Sequence, residues 1–163
     1  MQATYHLAQI NIAKARELLD HPLLSGFVAQ LDTINALAER SPGFVWRLQT
    51  EEGDATSIQA FDDPQIIVNM SLWTSFEALK DYVYSGDHLA VLRQRASWME
   101  KLATPSLALW WLPAGTLPSV DDGKRALRLL AEQGPSAAAF TFARSFAAPG
   151  AAESDSLILT LEH

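Results

Sequence analysis

The side chains best suited to chemistry in this sequence are His88, Arg47 and Asn69. His88 follows Ser85-Gly86-Asp87, a break between two stretches of helical periodicity, so it would open the second helix. With a reference pKa near about 6.5, an imidazole there could shuttle a proton or serve as a neutral ligand to iron. It could equally cap its helix and bond to backbone, and both readings stay open. Arg47 and Asn69 fall in strand-like segments, out of phase with the apolar residues around them. Two such groups on neighbouring strands could orient a carbonyl or carboxylate, or could bond across strands at a subunit face. Beside them are five tryptophans: Trp46, Trp73, Trp98, Trp110 and Trp111. At strand spacing, indoles more often build core and interface than stack on ligands. A pocket lined by Trp46 and Trp73 would nevertheless suit a planar apolar ligand. The break at 85–87 would let Tyr82 and Tyr84 line a neighbouring wall, and the helix begun at His88 would align Leu92, Arg95 and Met99 behind it.

Much other chemistry is absent from the pattern. His6 and His21, at a strand end and before a proline, form no metal-binding spacing with His88, so zinc is not expected. Asp62-Asp63 and Asp121-Asp122 read as turn and helix-start residues. No glycine-rich nucleotide loop occurs, and the chain contains no cysteine, which excludes disulfides and thiolate catalysis. A net charge of -7 argues against nucleic acid and against an anionic membrane surface. No basic segment leads an apolar run at the start, and no stretch approaches the roughly 20 apolar residues of a membrane span, so a cytoplasmic protein is expected. Leu161-Glu162-His163 reads as a tag remnant and is set aside.

The elements that must position these groups follow from periodicity. Thr4–Ile12 alternates as a strand, with Ala8, Ile10 and Ile12 on one side and Leu7, Gln9 and Asn11 on the other. A helix is expected over Leu24–Arg40, ended by Ser41-Pro42-Gly43. Strands follow over Phe44–Gln49 and Gln65–Trp73, with 56–61 extending a hairpin. Thr74 and Glu77 fit a capping box for the next helix. Pro105–Leu112 reads as a strand, and Ser119–Gln133 as a helix capped by Ser119. Phe140, Phe142 and Phe146 could anchor a C-terminal arm. The expected layout is one α+β domain over 1–146 and a flexible tail over 147–163. The order β-α-β-β-α-β predicts a ferredoxin-like split sheet with helices on one face, an added C-terminal helix, and a tryptophan-bearing second face that a second subunit would cover.

HLAQINIA at 6–13, INALAERSPGFVWRLQ at 34–49 and FDDPQIIVNMSLW at 61–73 resemble the DUF3291 family, over about residues 5 to 142. That family is similar to the dimeric α/β-barrel superfamily, which includes antibiotic-biosynthesis and heme-degrading monooxygenases. The resemblance implies a homodimer packed sheet to sheet, with a pocket between sheet and helices or inside the barrel. In SFEALKDYVYSGDHLAVLRQ, His88 matches the histidine that is the axial ligand in the heme-degrading branch. Leu79 stands where that branch has a tryptophan, a departure from the heme pattern, and Asn11 or Gln9 could play the part of its strand asparagine. The expected function is a small-molecule enzyme of the cofactor-independent monooxygenase type, acting on a planar aromatic or polyketide-like substrate. His88 would be its proton shuttle, with Arg47 and Asn69 steadying the oxyanion. The alternatives are a heme protein with His88 as axial ligand, or a non-catalytic ligand-binding dimer in which His88 caps its helix.

Overall fold

The computed structural model describes residues 4–18, 20–49, 61–86 and 95–149. In chain order the elements are β1 (Tyr5–Ala15), a single 3-10 turn (Pro22–Leu24), α1 (Ser25–Glu39), β2 (Phe44–Arg47), β3 (Ile66–Trp73), α2 (Phe76–Val83), α3 (Arg95–Trp98), β4 (Met99–Glu100), β5 (Leu107–Pro113) and α4 (Val120–Gln133). The expected hairpin extension lies outside the described residues except for Phe61.

The sheet is antiparallel throughout. β1 is central, with β3 and then β2 on one side and β5 on the other, while two-residue β4 continues the β5 side at the far end of β1. This is the split β-α-β-β-α-β arrangement that the order of elements implied. β1 runs three residues beyond the expected Ile12, because Lys14 and Ala15 find partners in both β3 and β4 or beside them.

Local chemistry fixes the ends of the helices. α2 is capped by Ser75, whose hydroxyl accepts from the Ala78 N–H, and not by Thr74 as the capping-box reading expected. Thr74 is instead tied to the α1–β2 turn, its N–H donating to Gly43 O at 2.8 Å. Gly43 has φ +85°, and a Cβ there would collide with Ala78, so the turn requires glycine for both its conformation and its clearance. Ser119 caps α4 in a full capping box with Asp122. Proton release from Asp122 is favoured, first by the Ser119 backbone N–H that its carboxylate accepts.

The two faces of the sheet are unlike. On the first, Leu7, Trp73 and Leu109 pack with Leu79 of α2 and Ala38 of α1. On the second, Ile10, Ile12, Val68, Met70 and Ala108 pack under Ala126, Leu127 and Leu130 of α4. Gly123 lets α4 approach so closely that a Cβ there would lie 2.5 Å from Ile10 Cδ1. The expectation of helices on one face only is therefore corrected. The amphipathic C-terminal helix finds its apolar partner on the sheet face that the sequence reading left to another subunit. Among the described residues no helix is long and apolar enough to cross a membrane.

Beyond α4 the chain crosses to the first face. Phe140 exchanges backbone hydrogen bonds with Leu109 at 2.8 Å each way, extending the sheet past β5 by one bridge. Trp111 Nε1–H then donates to Phe146 O at 2.8 Å, fixing the arm at a second point. The anticipated anchoring by Phe140, Phe142 and Phe146 is thus observed.

Candidate functional site

A cavity of about 270 Å³ lies between the first face of the sheet and helices α1 and α2. Its floor comes from two adjacent strands. The register sets Gln9 of β1 opposite Ser71 of β3, and Asn11 opposite Asn69. Because both strands alternate with period two, four polar side chains emerge side by side where apolar neighbours would otherwise meet. Ile34, Asn35 and Ala38 of α1 and Leu79, Tyr82 and Val83 of α2 form the walls, with Trp73, Leu107 and Phe142 closing the rest.

The floor is internally bonded. Gln9 Nε2 donates to Asn69 Oδ1 at 2.6 Å and to Ser71 Oγ at 2.9 Å. Trp73 Nε1–H also donates to Ser71 Oγ, at 2.8 Å. The Trp73 indole stacks on Tyr82, with centroids 5.1 Å apart and planes inclined by 25°. Tyr82 O–H reaches Ile34 O at 3.4 Å, and burial pushes its phenol up to about 12, so it stays protonated at neutral pH. Arg47 enters from β2, where its Nε–H donates to Glu39 Oε1 at 2.7 Å at the end of α1. The guanidinium is buried while the carboxylate is half-exposed, so this charge is compensated from the solvent side. Gln9, Arg47 and Ser71 are the buried polar side chains among the described residues, and all three line this one cavity.

Several residues singled out in the sequence therefore converge: Arg47, Asn69, Asn11 and Trp73 share the cavity. Trp46 does not, for a definite reason. A β-bulge between Phe44 and Trp46 shifts the register, so Trp46 opposes Leu72 on the second face and Arg47 opposes Ser71 on the first. Simple alternation would have put Phe44 and Trp46 together. Tyr84 is 55 % exposed at the end of α2 and meets Phe142 edge-on at 6.2 Å, outside the lining. His88 lies outside the described residues, and so does the side chain of Arg95. His21 caps the 3-10 turn by accepting from Leu23 N–H, and His6 is on the second face with its Nδ1 buried and unbonded. Trp110 also belongs to the second face and Trp111 to the first, as their pairing with Ala8 and Leu7 requires.

Gln9, which the sequence offered only as an alternative to Asn11, and Ser71, Asn35 and Phe142, which it did not mark as chemical, also line the cavity. The signal for the first two was available in phase: Gln9-x-Asn11 and Asn69-x-Ser71 each interrupt an apolar strand with the same period. For heme, the cofactor raised by resemblance, the described lining offers neither imidazole nor thiolate as an axial ligand, and His88, the ligand that the resemblance implies, lies outside the described residues. Among the described residues no cluster of acidic, histidine or cysteine side chains could hold a metal ion.

The model of the family described as "Domain of unknown function (DUF3291)" matches residues 6–156. No curated protein matches the chain. Among solved structures, SnoaB, a cofactor-independent oxygenase from Streptomyces nogalater, is 17% identical at a TM-score of 0.44, covering 70% of this chain and 98% of its own. The protein PA3566 from Pseudomonas aeruginosa is 12% identical at a TM-score of 0.47, with 71% and 100% covered. Rv0793 from Mycobacterium tuberculosis is 16% identical at 0.45, with 70% and 97% covered.

Proposed function

The chain belongs to the DUF3291 family, and we propose that it is a small-molecule enzyme of the cofactor-independent monooxygenase type, acting on a planar aromatic or polyketide-like substrate. The observation that carries this reading is the concentration of buried polar side chains, Gln9, Arg47 and Ser71, in one cavity with otherwise largely apolar walls. Burying such groups costs free energy unless they are bonded, and among the described residues these three lie together where a ligand could use them. The Trp73–Tyr82 stack supplies a flat aromatic wall. Asn69, Gln9 and Asn11 would fix the oxygens of the ligand, and the Arg47 guanidinium would favour charge developing on one of them. His88 is assigned the proton shuttle on the strength of the sequence. It would remove a proton from carbon beside a carbonyl, and the carbanion would react with dioxygen.

A second reading has its own support. The described lining contains no side chain that takes up a proton at neutral pH, which suits a binding protein as well as an enzyme. The two separate in one experiment. Planar hydroxyketones are screened by quenching of tryptophan fluorescence, and binders are then tested for oxygen consumption. Uptake that disappears in His88→Ala, with binding retained, supports the enzyme. Binding without uptake in the wild type leaves the binding protein, and a Gln9→Leu variant that binds as well as wild type would move the site elsewhere.

We further propose a homodimer. What supports it is the row Trp46–Leu72–Ala8–Trp110 across the second face, where both indoles remain only half-buried in the single chain. Light scattering at micromolar concentration should give twice the monomer mass.

A further inference from the structure

The hydrogen bonds on the cavity floor can be counted, and the count has two solutions. Trp73 Nε1–H can only donate, so Ser71 Oγ always spends one lone pair on it. In the observed arrangement Gln9 Nε2 spends both hydrogens, one on Asn69 Oδ1 and one on Ser71 Oγ. That leaves Gln9 Oε1 as an acceptor, and Asn69 Nδ2 and the Ser71 hydroxyl as donors. Oxygen and nitrogen of a carboxamide occupy nearly the same space. Turning both amides over by 180° keeps every heavy atom where it is. Ser71 O–H and Asn69 Nδ2–H would then donate to Gln9 Oε1, again making three bonds with that of Trp73. The free functions reverse, with Gln9 Nε2 now a donor and Asn69 Oδ1 an acceptor. Turning one amide alone would set two oxygens, or two NH2 groups, at the 2.6 Å now occupied by the Gln9–Asn69 bond. The two amides must therefore turn together.

We infer that Gln9 and Asn69, hinged on Ser71, form a coupled pair that presents either hydrogen-bond polarity to the same ligand, and that the ligand class is a neutral hydroxy-carbonyl compound able to exchange its keto and enol ends. This rests on the reading that the cavity binds a small molecule. A hydroxyl at Gln9 with a carbonyl at Asn69 selects the observed arrangement, and the tautomer with the two ends exchanged selects the other. Neither requires the ligand to move. Burial favours the coupling at one end and access favours the turning at the other: Gln9 is 6 % exposed, whereas Asn69 is an exposed residue. The Arg47 charge is answered by Glu39, which fits a ligand that arrives without a charge of its own.

The test uses two neutral bicyclic probes of similar shape, 1-naphthol with a hydroxyl and 1-tetralone with a carbonyl, titrated by calorimetry into the wild-type protein and Asn69→Asp. The wild type should bind both, with dissociation constants within about threefold of each other. A carboxylate at position 69 can only accept, so it holds Gln9 in the observed orientation. Naphthol should keep its affinity, and tetralone, whose carbonyl would meet a carboxylate oxygen where Asn69 Nδ2 donated and keep only the Ser71 hydroxyl as donor, should lose about tenfold or more. Circular dichroism verifies the fold of the variant, and an exposed position makes folding the expected result. Wild-type binding of one probe only, or an equal loss of both in Asn69→Asp, would overturn the coupled pair while leaving the cavity a binding site. Failure of both probes to bind wild type would remove the binding reading and the coupled pair together.

Discussion

The two faces of the central strands were built from the same ladder and put to opposite uses. Along β1 the residues of one phase are Gln9 and Asn11, and those of the other are Ile10 and Ile12. Along β3 they are Asn69 and Ser71 against Val68 and Met70. The backbone hydrogen bonds are common to both faces, so the difference lies in the side chains of each phase and in what covers them. α4 lies down on the second face so closely that Gly123 touches Ile10. On the first, α1 and α2 stand far enough away to leave about 270 Å³ over the amides. A dry face and a polar cavity only one strand thickness apart means that stability and function are separable by single substitutions, residue by alternate residue.

That separation can be broken most forcefully at Ile10. Its side chain is completely buried between the sheet and α4, and Ile10→Ala should cost about 2–5 kcal/mol in denaturant unfolding. A loss below about 1 kcal/mol would mean that α4 does not hold its place on this face. The cavity wall should show the next largest effect, and only in alkali. Tyr82 is pushed up to about 12 by burial, while an unfolded tyrosine ionises near about 10. The unfolded chain therefore loses its proton first. The stability contributed by the neutral phenol is complete below about pH 10 and lost as pH rises toward 12, on the order of 2–3 kcal/mol in all. Tyr82→Phe should flatten that decline, and an unchanged slope would contradict the burial. Beside Ile10 in sequence, Gln9→Leu should change stability by no more than about 1 kcal/mol yet weaken binding of a planar hydroxyketone about tenfold or more. Equal effects of Gln9→Leu and Ile10→Ala on stability would erase the contrast between the faces.

Much of this architecture was legible in the sequence because it depends on local periodicity. The period-two segments around Ile10, Val68 and Ala108, and the helical stripe from Leu24, specified their elements to within a few residues. So did the Ser119 cap. What was not legible depended on relations between distant segments. The opposition of Gln9 to Ser71 is a register, and a register is fixed by packing and turns beyond the strands themselves. The bulge at Val45 put Phe44 on one face and Trp46 on the other, where simple alternation would have kept them together. The destination of α4 was hidden for the same reason. Its stripe of Ala126, Leu127 and Leu130 announces a buried face but not the surface that receives it. Thr74 against Ser75 shows the limit at the finest scale: both are good caps, and the tie of Thr74 to Gly43 decides between them.

The smallest effect sharpens the comparison from the side of the dry face. The first turn of α4 contains Asp122, which accepts from the Ser119 N–H at 2.9 Å and from Arg125 Nη2 at 2.7 Å. The backbone bond is the main reason its carboxyl is held below the usual carboxylate range, with Ser119 O–H and the Arg125 charge assisting. A depressed pKa in the fold means that the unfolded chain binds its proton first as pH falls. The stability Asp122 provides is present above about pH 4 and disappears as acid titrates the folded group. At pH 7, Asp122→Asn should therefore cost only about 0.3–1 kcal/mol, the usual scale for an anion at an exposed helix start. Near pH 2 wild type and variant should unfold alike. Because α4 touches the cavity only through the thickness of the sheet, ligand affinity at pH 7 should be the same in both. A change in affinity that follows the change in stability would show that the two faces communicate, and the cavity would then have to be treated as part of the fold that α4 maintains.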